Sequence, residues 1–237
     1  MMLEQQTKEM HMLYNAETVT KEFNERKFYY YLQKDVFPPL AGTMKRFKKH
    51  EFLMKEKDTI DEIYFIQSGC VMAIKNDSWV FDFYAETDII GFDSLLLSHF
   101  ATHSFQVISD EVIAMKYKKS EIIEKVLNAQ EGYLYYYVHV HNQVKRLLAK
   151  EALLRLPSEE RIGLALLQII KGYRDRTIHR GRILFPKHIN KGILAKYTNL
   201  NPNTITTVLQ KFQDQAIIQV IHQRMHVDIW KLRSKLE

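Results

Sequence analysis

The sequence predicts an α+β protein: an N-terminal β-roll of the jelly-roll type, a long dimerisation helix and a C-terminal winged helix-turn-helix. Three observations carry that prediction. Six short apolar segments between residues 51 and 117 are spaced like antiparallel strands. A helical stretch follows, with large apolar residues at 4, 3, 4, 3 spacing. Residues 191–212, KGILAKYTNLNPNTITTVLQKF, then put small and apolar side chains where two helices crossing at a tight turn need them. The expected parts are 1–43, a helical extension; 44–118, the roll; 119–156, the long helix; and 157–237, the winged unit.

The roll is read from residues 51–54, 62–67, 71–75, 79–84, 104–108 and 112–117. These are rich in Ile, Val, Phe and Tyr, several alternate in and out, and polar or glycine-containing breaks separate them. Strand 62–67 runs out at Ser68-Gly69, and Asn76-Asp77-Ser78 offers a hairpin turn. Strands this short and this closely spaced leave no edge uncovered when they close into a barrel or roll. Residues 3 to about 36 read as helical, with Phe28-Tyr29-Tyr30-Tyr31-Leu32 as a core stripe packed on the roll.

Residues 118–156 read as one long helix. Tyr133, Tyr137, Val140, Val144 and Leu147 form the seam of a two-stranded coiled coil, while Leu134, Val138 and Leu148 are placed toward the roll. Two apolar stripes on one helix call for two partners, and the second is expected to be another copy of the chain. Pro157 then breaks the helix and forms a hinge, with Ser158 expected to cap the next helix.

In the winged unit, Leu194 and Ala195 lie on a first short helix, and Ile205, Val208, Leu209 and Phe212 recur at helical spacing on a second. Asn199 stands where the turn needs a left-handed residue, Asn201 where the second helix needs an N-cap oxygen, and Pro202 at its first position, where a missing N–H costs nothing. The outward face carries Pro202, Asn203, Thr206, Thr207 and Gln210, polar without being acidic. Residues 216–221 and 226–230 read as the two strands of a wing around a basic turn at 222–225. The pattern points to double-stranded DNA. Asn203, Thr206, Thr207 and Gln210 are expected to read bases, because amide side chains pair with adenine edges in the major groove. Asn201 and Thr204, with Lys191, Lys196, Lys211 and Arg224, are expected to hold phosphates. A homodimer fits a palindromic operator, since two recognition helices must stand about 34 Å apart to enter successive major grooves.

Charge is distributed to match. Residues 157–237 hold 14 Lys and Arg against 6 Asp and Glu, a net of +8, whereas residues 1–156 hold 20 against 22, a net of −2. A basic surface with no nucleic-acid partner is the bland alternative; phosphate neutralisation with counterion release is the functional one. The N-terminus lacks the pattern of a signal peptide, no run approaches a membrane span, and the single Cys70 excludes an internal disulfide, so a reducing cytoplasm is expected. His139 and His141 project too far apart on a helix to share a metal and read as solvent or interface histidines. No phosphate-binding or dinucleotide-binding glycine pattern and no nucleophile–base pair is present, so neither a cofactor nor an enzyme is expected. An enzyme built on the roll would need a metal. A sensor whose winged unit docks on a protein partner is the alternative of a different class.

The order of parts resembles the cyclic AMP receptor protein and Fnr (Crp/Fnr) family of bacterial transcription regulators over about residues 44–230. EIYFIQSGCVMAI, IIGFDSLL and LPSEERIGLALLQII, then the winged unit, follow one another as in that family. The resemblance implies a homodimeric regulator with a cyclic-nucleotide-binding-like roll and DNA affinity set by a small effector; RNA polymerase is an expected partner, and the loop 172–182 either contacts it or simply carries charge. The expected switch is an effector or temperature altering the packing between roll and long helix, so that the two DNA units rotate through the Pro157 hinge. Departures matter. Members that bind cyclic nucleotides have a Glu just after the cassette glycine and an Arg-Ser pair about ten residues on; here Phe92 follows Gly91, and Thr102-His103 stands where the pair belongs. A buried cyclic phosphate would meet no guanidinium, so cyclic AMP is disfavoured. The N-terminal cysteine cluster of Fnr-type oxygen sensing is absent, which brings the chain closer to the PrfA-like branch. Leu95, Leu96, Leu97, Phe100 and Phe105 suggest an apolar filling, and Phe92, Leu95, Thr102, His103 and Ser104 are the expected lining of an effector pocket for a small molecule other than cyclic AMP. The family's Arg-Glu pair and later Arg on the recognition helix correspond to Pro202-Asn203 and Thr207, so a different operator is expected.

Overall fold

The computed structural model describes residues 15–237 apart from 36, 77, 97, 173–177, 180 and 181. The expected helix over residues 3–14, Asp77 of the first hairpin turn, Leu97 and most of the loop 172–182 lie outside the described residues.

Two short helices, α1 (Ala16–Glu22) and α2 (Glu25–Tyr30), start on the side chains of Asn15 and Asn24, and α2 runs on into a π-turn over Tyr31–Asp35. Eight strands follow: β1 (Thr43–Lys48), β2 (Phe52–Met54), β3 (Glu62–Ser68), β4 (Val71–Lys75), β5 (Trp79–Tyr84), β6 (Ile89–Ile90), β7 (Ser104–Val107) and β8 (Glu111–Lys118). They form two antiparallel sheets, ordered β1-β8-β3-β6 and β2-β7-β4-β5, which close as the expected roll. Two strands escape the sequence pattern for physical reasons. At the sheet edge, β1 buries only Phe47 and carries Lys45, Arg46 and Lys48, a charged edge that blocks further pairing but hides the apolar alternation. Strand β6 is two residues long and follows from its pairing with β3.

The long helix is broken in two, α3 (Lys119–Leu127) and α4 (Gln130–Leu154), which corrects the expected single helix. Asn128 caps α3 and the chain turns back at Ala129. Gly132 permits the turn, because a β-carbon there would stand 2.5 Å from the carbonyl oxygen of Val126. Val138 is buried as expected, whereas Leu134 is half-buried and Leu148, expected to face the roll, is 60% exposed. Next comes α5 (Ser158–Gly172). Its first bond runs from Arg161 N–H to the Pro157 carbonyl at 2.8 Å, so Pro157 holds the cap position and Ser158 is the first helical residue, not the cap.

The rest is β9 (Ile178–His179), β10 (Arg182–Leu184), α6 (Lys191–Thr198), α7 (Pro202–Asp214), β11 (Ile218–Ile221), β12 (Arg224–Val227) and α8 (Ile229–Leu236). The wing is larger than expected, a four-stranded sheet β11-β12-β10-β9. Its return strand is Arg224–Val227, not 226–230. Asp228 accepts a hydrogen bond from Lys231 N–H and starts α8, whose Leu232 is buried. Helix, turn, helix and hairpin nonetheless stand as expected. Among the described residues no helix is long and apolar enough to cross a membrane.

Two apolar cores hold the chain together. One fills the roll and takes in Phe28, Tyr31 and Leu32 from the N-terminal helices and Ile122 and Val126 from α3. The other runs from Met72, Ile74, Val80 and Phe83 on the roll straight into the winged unit at Ile162, Leu166, Tyr197, Ile205 and Phe212. The winged unit is therefore docked on the roll as well as tethered by Pro157.

Candidate nucleic-acid interface

The helix-turn-helix forms from the local signals in its sequence. Asn190 caps α6 by accepting from Ile193 N–H at 2.9 Å; Asn199 ends it in the left-handed region, at φ 52° and ψ 47°; Asn201 accepts from Asn203 N–H at 2.8 Å, with Pro202 first in α7. Leu194 and Ala195 on α6 meet Ile205, Val208, Leu209 and Phe212 on α7, all buried. That packing turns Asn203, Thr206, Thr207 and Gln210 to solvent. Two of them already have partners: Thr207 Oγ1 donates to the Asn203 carbonyl at 3.0 Å, and Gln210 Nε2 donates to Asp214 Oδ1 at 3.0 Å. Asp214 thus adds one carboxylate at the far end of a face expected to carry none.

The expected phosphate contacts divide into two groups. Lys191 and Lys196 are exposed and Arg224 half-buried, and none has an ion-pair partner among the described residues. Lys211 instead points back to α5, where its Nζ donates to Glu159 Oε2 at 2.5 Å, and Lys235 of α8 lies 3.4 Å from the other oxygen of that carboxylate. The hydrogen bond from Lys211 holds the Glu159 carboxyl below its ordinary range. Asn201 is exposed and Thr204 half-buried at the start of α7. In the wing, His222 and Gln223 both take positive φ, 49° and 61°, which gives the two-residue hairpin the twist of its strands.

Sequence patterns miss the joint between α6 and the rest of the chain. Tyr197, buried on α6, packs on Phe83 of β5 with ring centroids 5.0 Å apart, and its hydroxyl donates to Gln168 Oε1 at 3.0 Å. Arg146 of α4 pairs with Asp82 at 2.6 Å and Asp88 at 3.3 Å and donates to the Phe83 carbonyl at 2.6 Å. Arg161 donates to the carbonyls of Leu156, at the hinge, and of Thr198, at the end of α6. A cleft of about 380 Å³ opens here, with walls from Asp82 and Asp88 of the roll, Arg146 of α4, and Gln168 and Tyr197 of the winged unit. Neither Tyr197 in LAKYT nor Arg146 beside Lys145 stands out in the sequence, because each takes its role from partners distant along the chain.

Lys150 of α4 completes the joint. Its Nζ donates to the Tyr197 carbonyl and sits 3.1 Å from the centroid of that ring. Burial pulls its ammonium down to about 7, with Asp82 opposing the shift. The sign follows from linkage. Between about pH 7 and the ordinary lysine value, the unfolded chain holds the proton more tightly than the folded one, so stability rises with pH across that window. Lys150→Met is expected to flatten this rise in a series of melting temperatures taken from pH 7 to 10. An unchanged slope would mean that Lys150 is not the group responsible.

Of the five residues expected to line an effector pocket, Phe92 borders a filled space against the N-terminal helices and Ser104 a separate space of about 550 Å³ beside Glu56 and Asn76. Phe92 and Leu95 are buried in the roll core, Thr102 is exposed, His103 is half-buried, and Ser104 accepts from Glu56 N–H at 2.9 Å. Phe92 stacks on Phe28 at 4.6 Å and meets Tyr136 at 5.4 Å and His139 at 5.0 Å. The space bounded by Phe28, Phe92, Tyr135 and His139 has 0 Å³ open to a water-sized sphere. His139 is therefore a core residue and not a solvent or interface one; Glu25 faces it at 3.7 Å. His141 is exposed and stacks on Tyr137 at 6.1 Å. His103 lies between Phe81 and Phe105, and burial lowers its affinity for a proton. The cassette loop is held from below by buried Lys119, whose Nζ donates to the carbonyls of Ser94 at 2.9 Å and Ser98 at 2.6 Å. Gly91 takes φ +88°, a conformation that favours glycine.

On α4 the expected dimer seam lies open. Tyr133, Tyr137, Val144 and Leu147 are exposed, Val140 is half-buried, and Leu148 extends the same stripe.

A roll joined by such a helix to a winged helix-turn-helix is a two-part architecture, and comparisons with known proteins find the same one elsewhere. Residues 44–127 match the cyclic nucleotide-binding domain family. Over 206 residues the chain is 22% identical to the anaerobic regulatory protein of Haemophilus influenzae, covering 81% of this chain and 75% of that one. Its fold is shared with FixK2 from Bradyrhizobium japonicum (TM-score 0.71, 16% identity, 82% of this chain and 97% of that one). It is shared also with TTHB099, a CRP-family transcriptional regulator from Thermus thermophilus (TM-score 0.67, 17% identity, 81% and 96%). The chain therefore carries a cyclic nucleotide-binding-type domain over residues 44–127 and shares its overall fold with solved regulators of the Crp/Fnr type.

Proposed function

We propose that the protein is a homodimeric, sequence-specific DNA-binding transcription regulator, acting on a palindromic operator and responding to an effector other than cyclic AMP or constitutively active. The observation that supports this best is the face of α7: exposed Asn203, Thr206, Thr207 and Gln210, flanked by Lys191, Lys196 and Arg224 with no carboxylate partners among the described residues. Lys211, paired with Glu159, is reassigned from phosphate contact to bracing α7 against α5.

The filled space around Phe92 and the absence of a guanidinium at Thr102-His103 support an effector other than cyclic AMP and a PrfA-like placement within the family. Coupling of the roll to α6 through Phe83, Tyr197, Lys150 and Arg146 gives any change in the roll a direct route to the recognition unit.

Selection of bound duplexes from a random pool is expected to return a two-fold symmetric site. Gln210→Ala is expected to relax preference at one base pair in each half, and Lys191→Gln to weaken all sequences alike. If both substitutions weaken every sequence equally, the base-reading assignment of Gln210 fails. If the winged unit retains a protein and no DNA, the docking alternative replaces this reading.

A further inference from the structure

Between α7 and the wing runs a cleft of about 310 Å³ with an apolar floor that includes Leu209 and Met225. Its rim carries Lys187, Lys191 and Arg224. Two of these cations are unpaired among the described residues, and the Nε of Arg224 is buried with no hydrogen-bond partner. Lys187 is different. Its Nζ donates to Oδ2 of Asp110 at 2.7 Å, and Asp110 belongs to the turn between β7 and β8, on the roll. The roll thus reaches across the domain boundary and sets a carboxylate on one rim cation of the cleft.

The surroundings keep that carboxylate charged. Lys187, with Lys49 close by, holds Asp110 below its ordinary range, so it is ionised at neutral pH. His188 adds no second cation there, because burial and the neighbouring lysines pull it down to about 4. Both members of the pair are more than half exposed, at 75% for Asp110 and 56% for Lys187, and an exposed pair of this kind holds weakly. A phosphate oxygen accepts a hydrogen bond from an ammonium as a carboxylate oxygen does, so the two compete for the same donor.

We propose that the cleft receives one phosphodiester strand of the duplex, and that Asp110 stands in for one phosphate, so that the docked roll withholds Lys187 from DNA. The inference rests on the DNA-binding reading above and adds a regulatory contact to it. A movement of the winged unit off the roll frees Lys187 and adds a phosphate contact. A movement that keeps the pair intact leaves Lys187 masked. Asp110 is in this sense an autoinhibitory residue, which keeps Lys187 from a phosphate for as long as the winged unit stays docked on the roll.

A double-mutant cycle on the full chain tests it. Wild type, Asp110→Asn, Lys187→Gln and the double variant are titrated against a fluorescent duplex at roughly 50 and 200 mM salt. Asp110→Asn is expected to tighten binding roughly two- to fivefold and to steepen the salt dependence by about one unit of log–log slope. The gain is expected to vanish in the Lys187→Gln background. An equal gain in both backgrounds would show a general charge effect and overturn the proposal. No gain at all would overturn it too, while salt-dependent wild-type binding would leave the DNA-binding reading standing. Absence of wild-type binding to any duplex would remove both.

Discussion

Tyr137→Glu combined with Val144→Glu is expected to turn the protein into a monomer and to lower its affinity for a two-fold symmetric duplex by roughly a hundredfold or more. The side chains at stake are open in a single chain: Tyr133, Tyr137, Val144, Leu147 and Leu148 are 50%, 63%, 46%, 40% and 60% exposed along one face of α4. Two such faces packed together would remove apolar area from water at about 25 cal/mol per Å², and two charges placed in the seam would oppose it. Each half-site would then be bound alone, without the gain that comes from tethering the second recognition unit to the first. The opposite face of α4, with Val138 and His139 buried, is untouched by either substitution, so the fold of the single chain should survive. Sedimentation equilibrium beside circular dichroism checks this directly. A folded double variant that remains a dimer would place the interface elsewhere.

Phe92→Ala is expected to cost about 3–5 kcal/mol of stability, since it removes a fully buried ring from the centre of the aromatic cluster. Phe92 contacts the N-terminal helices through Phe28 and α4 through Tyr136 and His139, so one ring joins three parts of the chain. The cavity left behind would be apolar, without a guanidinium to receive a phosphate, and cyclic AMP is expected neither to fill it nor to restore the loss. Urea denaturation with and without cyclic AMP reads both quantities. A loss below about 1 kcal/mol would mean that the cluster is loosely packed, and recovery with cyclic AMP would refute the assignment of this cassette as closed to that nucleotide.

How much of this is legible in the sequence depends on how local each cause is. Helix α7 is legible because its cap, its first proline and its apolar period are all written within thirteen residues, Pro202–Asp214, and the Asn201 before them. Strands β4 and β5 coincide with their expected bounds because both bury apolar residues between clear breaks. The break between α3 and α4 is not legible, since it turns on a single glycine, Gly132, that must lie against the backbone of Val126. Partners distant in sequence stay hidden in the same way. Lys211 looks like a free cation until Glu159, 52 residues earlier, is seen beside it, and nothing near Lys187 in sequence points to its partner Asp110, 77 residues earlier. His139 looks like a solvent histidine because its neighbours Phe92 and Glu25 come from the roll and from the N-terminal extension.

The central claim about the molecule is that the winged unit holds duplex DNA through Lys191 and Arg224, cations unpaired among the described residues. The most direct measurement is the affinity of the full chain for duplex DNA as a function of salt, taken for wild type and for Lys191→Gln with Arg224→Gln. Binding that weakens steeply with salt, with a slope shallower by about two in the double variant, is the predicted result. Binding that is absent, or a slope that the double variant leaves unchanged, would contradict it.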